Sequence, residues 1–402
     1  NLGKELGLYG GPSAPDRDKL ADDALRAAVE VWGGLAAEFP ADREYRFGLA
    51  MASRMKGMQL MQRGLLRDAE ATLREADARL SALLAERPGD PRARRALVET
   101  LNHLDVLLGI AMRRPEQEAT VRRQVPLAEA QAADFPDDPE QQGDLATVVG
   151  NLARAVEAAR GPSAEGVELH RRALGIRERL ADRHPDVRAY QTAALSSSLS
   201  LGRSLEGLRR DGEAVPVYER AAVRAREYLR THPGDEHVVY QHAASAASLA
   251  GVLVDRGDYA RAARELEGPA GVNLRDYTAA ELSSGVPISV EVTYLAGRVL
   301  AECAAAAGRD PALAPTDRER TARAFAARAE WWYREADQAA GRWAREYRPA
   351  EAGGYEQVWG VVTRCDKLMA ADDVPAGLRP ARREAVAGCR RLAARALIQE
   401  AM

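Results

Sequence analysis

The sequence predicts an all-α protein, an α-solenoid of antiparallel helix pairs in a right-handed superhelix with a helical C-terminal cap. Three observations lead there. Prolines stand at 40, 88, 136, 185 and 233, so the intervals are 48, 48, 49 and 48 residues. A fixed period of that length marks an array in which each unit is one supersecondary block stacked on the next. Between these prolines apolar residues recur three and four apart, the spacing that lines one face of a helix. Composition agrees: Ala, Leu, Arg and Glu dominate and favour helix, while aromatics make up only 5% and Phe occurs four times, too few for a large β-rich core.

Each proline follows a helix end: Glu38-Phe39-Pro40, Glu86-Arg87-Pro88, Asp134-Phe135-Pro136, Arg183-His184-Pro185 and Thr231-His232-Pro233. Proline lacks the backbone donor and disfavours helix in the residue before it. Within each repeat a turn separates two helical halves, at Arg63-Gly64, Arg114-Pro115, Gly161-Pro162, Asp211-Gly212 and Arg256-Gly257-Asp258. Gly closes one helix and Pro opens the next. The second helix is clearest in Leu66, Ala69, Leu73, Ala76, Leu80 and Leu83, and again in Leu169, Ala173, Ile176 and Leu180.

Superposed copies share small positions where paired helices cross closely. One series is Gly57, Asp105, Ala153, Gly202 and Ala250; another is Ala21, Ala69, Gln117, Gly166, Ala214 and Ala262; a third is Ala28, Ala76, Gln124, Ala173 and Ala221. The copy over 91–136 has a bulky residue in all three series, and Pro126 inside its second helix predicts a kink or split there. Residues 1–268 form the array. Residues 269–402 form the degenerate C-terminal repeats and cap: a connector to Pro287, then helices over 288–307, 316–346, 355–371 and 378–400, with Thr316 or Asp317 capping the second. About fifteen helices are expected in all.

Asn1-Leu2-Gly3, Ser200-Leu201-Gly202, and the run Leu249-Ala250 to Gly257-Asp258-Tyr259-Ala260-Arg261-Ala262 resemble tetratricopeptide (TPR) repeats. The resemblance spans roughly 1–270, with a period longer than the family's usual ~34 residues. The stretch 172–185, Arg-Ala-Leu-Gly-Ile-Arg-Glu-Arg-Leu-Ala-Asp-Arg-His-Pro, is also similar to long arrays that follow bacterial Hanks-type serine/threonine kinase domains. Asn1-Leu2-Gly3 matches the middle of a first helix, so the chain is expected to be the repeat portion of a larger bacterial signalling protein.

Chemistry is sparse. The net charge of −3 gives no general attraction to nucleic acid or to an anionic membrane. Apolar runs fall short of the ~18 residues that a membrane span needs. Cys303, Cys365 and Cys389 lack metal-binding spacing, which favours a reduced, cytoplasmic setting. Phosphate loops, dinucleotide fingerprints, HExxH and nucleophile elbows are missing, and no cofactor is expected. His232, His237 and His242 lie five apart, scattered around a helix instead of aligned as zinc ligands. Arginine far outnumbers lysine (Lys4, Lys19, Lys56 and Lys367), which reads as codon bias. The carboxylates, as in Glu75/Arg79, read as solvated i,i+4 partners on helix faces.

Binding remains. The TPR resemblance implies that first helices line a concave face, which selects Arg54, Met58, Asn102, Arg154, Glu157, Arg203 and Glu206 as candidate partner contacts. The Arg-x-x-Glu pair at 154/157 and 203/206 reads either as a charged ladder for an extended acidic peptide or as an ordinary i,i+3 ion pair. The aromatic cluster Trp331, Trp332, Trp343 and Trp359 reads either as the closure of the core or as a ligand pocket; adjacent Trp331 and Trp332 cannot both point inward. Three functions follow: a protein-interaction scaffold foremost, a peptide or small-molecule sensor at the aromatic end, and an unrecognised hydrolase with its site hidden. The expected partner is a protein or peptide of acidic character. Oligomeric state is left open.

Overall fold

In the computed structural model every described element is an α-helix, as the periodicity requires. The structure describes residues 15–233, 235–267, 288–346 and 380–381. Among them run thirteen helices: α1 Pro15–Glu38, α2 Arg43–Gln62, α3 Leu66–Glu86, α4 Pro91–Ile110, α5 Arg114–Asp134, α6 Pro139–Arg160, α7 Ala164–Arg183, α8 Arg188–Gly207, α9 Asp211–Thr231, α10 Glu236–Asp255, α11 Tyr259–Glu267, α12 Ile288–Arg309 and α13 Pro315–Glu346. The expected helices over 355–371 and 378–400 and the connector after Gly268 lie outside the described residues, apart from helical 380–381.

The chain packs as two compact units, Asn1–Leu180 and Ala181–Met402. In the first, successive helices pair antiparallel. Arg43 at the start of α2 donates to the Leu83 carbonyl near the end of α3 at 2.8 Å, and Arg94 at the start of α4 pairs with Asp134 at the end of α5. In the second, Tyr218 early in α9 donates to Glu206 at the end of α8. First helices also touch their counterparts, α2 against α4 in one unit, and α8 against α10 and α10 against α12 in the other. This is an all-α repeat fold of sequential antiparallel helix pairs.

The sequence explains the joints. Two residues past each ladder proline, an aspartate caps the following first helix: Asp42, Asp90, Asp138 and Asp235 each accept a backbone N–H of the first turn. The fourth copy has Val187 there and no side-chain cap. Asp90 also accepts from Arg43 at 2.6 Å, tying the cap to the preceding repeat. Between the halves of a repeat the chain turns through a left-handed residue, at Gly64, Met112, Gly161, Arg209 and Gly257. Two turns therefore fall earlier than the sequence reading put them. Pro115 and Gly212 lie inside the first turns of α5 and α9, and non-glycine residues take the left-handed position.

The small positions are where helices meet. A Cβ on Gly57 would stand 2.6 Å from Leu73 Cγ, and one on Gly202 would stand 2.2 Å from Tyr218 Cζ. Ala153 and Ala250 are fully buried at the same place. The crossing returns in α12, where a Cβ on Gly297 would stand 2.9 Å from Tyr333 Cδ1 of α13. Gly297 lies 47 residues past Ala250, so the repeat geometry continues beyond the point where its sequence register fades.

Three expectations need correction. Pro126 does not split α5, which runs unbroken from Arg114 to Asp134; a proline removes a single ladder bond, and packing on both neighbouring helices holds the rest. Thr316 and Asp317 do not cap α13. The helix begins at Pro315, a favoured first-turn residue, and Asp317 pairs with Arg320 instead. Nor are the arginines chemically idle. Beyond local pairs such as Glu75–Arg79 at 3.1 Å, they join neighbouring repeats at a spacing of 42–43 residues: Arg113–Glu70, Arg160–Glu118 (from the end of first helix α6 to α5) and Arg172–Glu129 in the first unit, Arg224–Asp182 and Arg261–Glu219 in the second. Each such exposed pair is worth little alone, at most about 1 kcal/mol.

Candidate binding face

Positions one period apart on the first helices form rows along the side turned away from the second helices. Met58, Val106 and Arg154 make one row in the first unit, and Arg203 continues the period on α8. Val106 is 46% exposed; Arg154 and Arg203 are exposed and Met58 half-buried. One turn back, Arg54 of α2 pairs with Glu99 of α4 at 2.7 Å. Asn102 of α4 accepts from Asn151 of α6 at 3.3 Å. The structure thus brings Arg54, Met58, Asn102 and Arg154 onto one face of the first unit.

That face rests on a buried polar network that replaces the small-residue crossing of the second full repeat. Asp105, only 5% exposed, accepts from Gln117 Nε2 at 2.8 Å and from Asn151 Nδ2 at 3.2 Å. Asn151 in turn accepts from Arg154. Burial pushes the Asp105 carboxyl above the usual carboxylate range, while Gln117, the Arg154 charge and Asn151 pull it back down. Gln124, fully buried, donates to the Val98 carbonyl at 2.8 Å. The copy that reads as degenerate has exchanged apolar crossings for hydrogen-bonded ones.

The two glutamates of the Arg-x-x-Glu recurrence turn the other way, back toward the second helix. Glu157 meets Nε2 of buried His170 at 3.3 Å, and its carboxylate lies where a Cβ on Gly166 would stand, 2.7 Å away. Burial holds His170 below the usual imidazole range even though Glu157 favours its charged form. Glu206 accepts from the buried Tyr218 hydroxyl, and burial raises its carboxyl. The arginines and glutamates of the recurrence therefore serve different surfaces. Arg154 is exposed in the first unit and Arg203 in the second, while Glu157 and Glu206 each brace their own hairpin.

Arg177 of α7 completes the group. It is half-buried, and its Nη2 donates to the Thr147 hydroxyl of α6 at 3.1 Å. Burial first, and then the charge of Arg154, lowers its affinity for its proton. The sequence reading missed Asn151, His170, Arg177 and Thr147, and took Asp105 for mere degeneration. The available signal was polarity at a core position: Arg177 stands one period from Ala128 and Ala225, and two from Leu80, all buried.

At the other end, Trp331 and Trp332 meet edge to face with ring centroids 4.6 Å apart. Trp332 is buried and Trp331 half-buried. Tyr333 is fully buried against Gly297, and Phe325 packs edge-on against Tyr259. The Trp343 side chain and Trp359 lie outside the described residues, as do Cys365 and Cys389. Cys303 is buried, donates toward the Tyr259 carbonyl at 3.6 Å, and has its thiol pushed up to about 12 by burial, far from a nucleophile's range. The three histidines part company: His232 stacks on Tyr228 at 4.3 Å, His237 is exposed, and His242 is buried with its imidazole lowered to about 4 by burial and by Arg226.

No protein-family model matches the chain, and no curated protein does. Similar solved structures include BtubC (BKLC) from P. vanneervenii, at 18% identity over 61% of this chain and 86% of that one, with a TM-score of 0.42. A circular tandem repeat protein with novel repeat topology aligns at 15% identity over 96% of this chain and 92% of that one, TM-score 0.34. Yeast Tom70 aligns at 11% identity over 97% and 90%, TM-score 0.16. The fold rests on this chain's own helix pairing and crossings.

Proposed function

We propose that this chain is a non-catalytic protein-interaction scaffold that takes an acidic segment of a partner on the first-helix face. The observation that carries the reading is the placement of Arg154. It is exposed on α6, braced by Asn151 and the Asp105 network beneath, while the nearby Glu157 is drawn away to His170. An arginine held in this way offers a preorganised fork for carboxylate or phosphate oxygens. Val106 and Ile110 on α4, 46% and 48% exposed, add apolar contact beside it, and such residues anchor interfaces when covered. What supports a cytoplasmic signalling setting is the resemblance of 172–185 to arrays that follow bacterial kinases. Among the described residues no helix is long and apolar enough to cross a membrane.

The test uses proximity crosslinking in the native cell with the wild-type chain and an Arg154→Glu/Arg203→Glu variant, followed by calorimetry with the purified partner. The expected result is a partner that binds wild type at least tenfold tighter than the folded variant, with affinity falling as salt rises because exposed charges are screened over ~8–10 Å. Equal affinity would remove these arginines from the interface.

A further inference from the structure

Arg177 occupies a place the repeat reserves for the core. Its equivalents Leu80, Ala128 and Ala225 are at most 3% exposed, and the half-buried Trp32 holds the place in the first copy; a charge at such a position costs stability unless something offsets it. The side chain reaches α6 instead, where it donates to Thr147 at 3.1 Å. Thr147 lies one turn before Asn151, the residue that holds the guanidinium of Arg154. Two guanidinia thus donate to uncharged oxygens on residues about 6 Å apart along one helix. Between and beside these anchors α6 has Gly143, Gly150 and Ala158, where α4 has Arg95, Asn102 and Ile110. Cβ atoms on Gly143 and Gly150 would meet only Leu180 and Ala173 of α7, at 3.9 and 3.8 Å, and Arg154 lies close enough for its charge to act on Arg177.

We propose that Arg154 and Arg177, with the Thr147 hydroxyl, form a binding site for a phosphate monoester carried by a protein partner. The donor set selects this ligand. A phosphomonoester presents three acceptor oxygens and a charge of about −1.5 to −2 near neutral pH, enough to engage two forks and a hydroxyl together. A single carboxylate has two oxygens and one charge, which one guanidinium satisfies. The like-charge pressure of Arg154 on Arg177 is relieved when a dianion stands between them. The scaffold reading supplies the source of the phosphate, a phosphorylated partner segment; the chemistry of the site does not depend on it.

The experiment is calorimetric titration of the intact chain at constant ionic strength with N-acetyl-phosphoserine amide, N-acetyl-aspartate amide and inorganic phosphate. The phosphoserine probe is expected to bind at least tenfold tighter than the aspartate probe and no more weakly than inorganic phosphate. Arg177→Leu restores the residue α3 has at this place. It is expected to fold, to resist urea at least as well as wild type, and to lose affinity for the phosphoserine probe tenfold or more. Arg177→Met, checked by circular dichroism, serves the same purpose should the leucine disturb packing. Unchanged affinity in the folded variants, or equal binding of the aspartate probe, would overturn the site; preference for inorganic phosphate would overturn its assignment to a partner. A partner lost from the Arg154→Glu/Arg203→Glu variant with no phosphoserine binding would leave the scaffold standing and this inference refuted.

Discussion

Gly202 and Gly251 are both helix glycines of the second unit, yet the same substitution should move stability in opposite directions. A Cβ on Gly202 would stand 2.2 Å from Cζ, 2.3 Å from Cε1 and 2.6 Å from the hydroxyl of Tyr218. That ring is fully buried and its hydroxyl is committed to Glu206, so it cannot swing away. It would have to retreat by about 1 Å to reach ordinary contact, and overpacking of this kind costs about 1–3 kcal/mol. Relief of glycine's helix penalty returns about 1 kcal/mol, which leaves Gly202→Ala less stable by about 1 kcal/mol and at most about 2. Gly251 has no atom within 4 Å of its virtual Cβ, so Gly251→Ala should gain up to about 1 kcal/mol. Urea unfolding followed by far-ultraviolet circular dichroism measures both. The array also suggests the rescue, because the bulky Asp105 has the smaller Val121 at the place equivalent to Tyr218. Adding Tyr218→Val to Gly202→Ala should therefore cost less than the sum of the single changes, a coupling of about 1 kcal/mol or more. Shifts of the same sign at both glycines, or strict additivity in the double variant, would refute the crossing as described.

Other outcomes follow from the same geometry. Ala173→Leu should overpack its crossing by about 1–3 kcal/mol. Gln124→Leu should be near neutral, because it removes a buried amide whose Oε1 has no hydrogen-bond partner while Val98 keeps its helical bond; parallel urea titrations compare the two. Arg209, left-handed at φ 57, should yield about 1 kcal/mol of added stability on replacement by glycine, read as a higher unfolding midpoint. His242 is held neutral, with its imidazole lowered to about 4 from the ordinary 6.5. The unfolded chain therefore binds more protons than the folded one between these values, so stability is complete above pH 6.5 and is lost as pH falls toward 4, by about 3 kcal/mol. His242→Leu, which supplies the residue of the equivalent positions 49, 97 and 145, should flatten that part of the stability–pH curve in denaturant titrations from pH 4 to 7.

The helices were legible because their signals are local. A proline ends a helix whatever surrounds it, and a stripe at spacings of three and four can bury only one face, so bounds such as Pro91–Ile110 and Leu66–Glu86 follow closely from pattern. The turns at Met112 and Arg209 were not, since glycine normally advertises a left-handed residue and here nearby Gly212 and Pro115 advertise the wrong place. The crossings were legible where the small residue is Gly or Ala. They were illegible at Asp105, because only the three-dimensional partners Gln117 and Asn151 show that bulk there is accommodated by hydrogen bonding. The fading register past residue 268 hid Gly297, whose meaning depends on Tyr333, 36 residues away.

The candidate face shows the same division. Arg154 and Arg203 could be picked out because periodicity alone puts them on first helices. That Glu157 and Glu206 face the opposite way depends on what the second helix offers: Gly166 and His170 make room and a partner for one, and Tyr218 holds the other. Each glutamate of the Arg-x-x-Glu recurrence is thereby engaged by its second helix, although the charge of Arg203 still pulls the Glu206 carboxyl down. Other copies fill the same place with the apolar residues Trp32, Leu80, Ala128 and Ala225, whereas α7 has Arg177. On the proposed reading Arg177 serves the phosphate beside Arg154, so Arg177→Leu should hold or raise stability while oxyanion affinity falls.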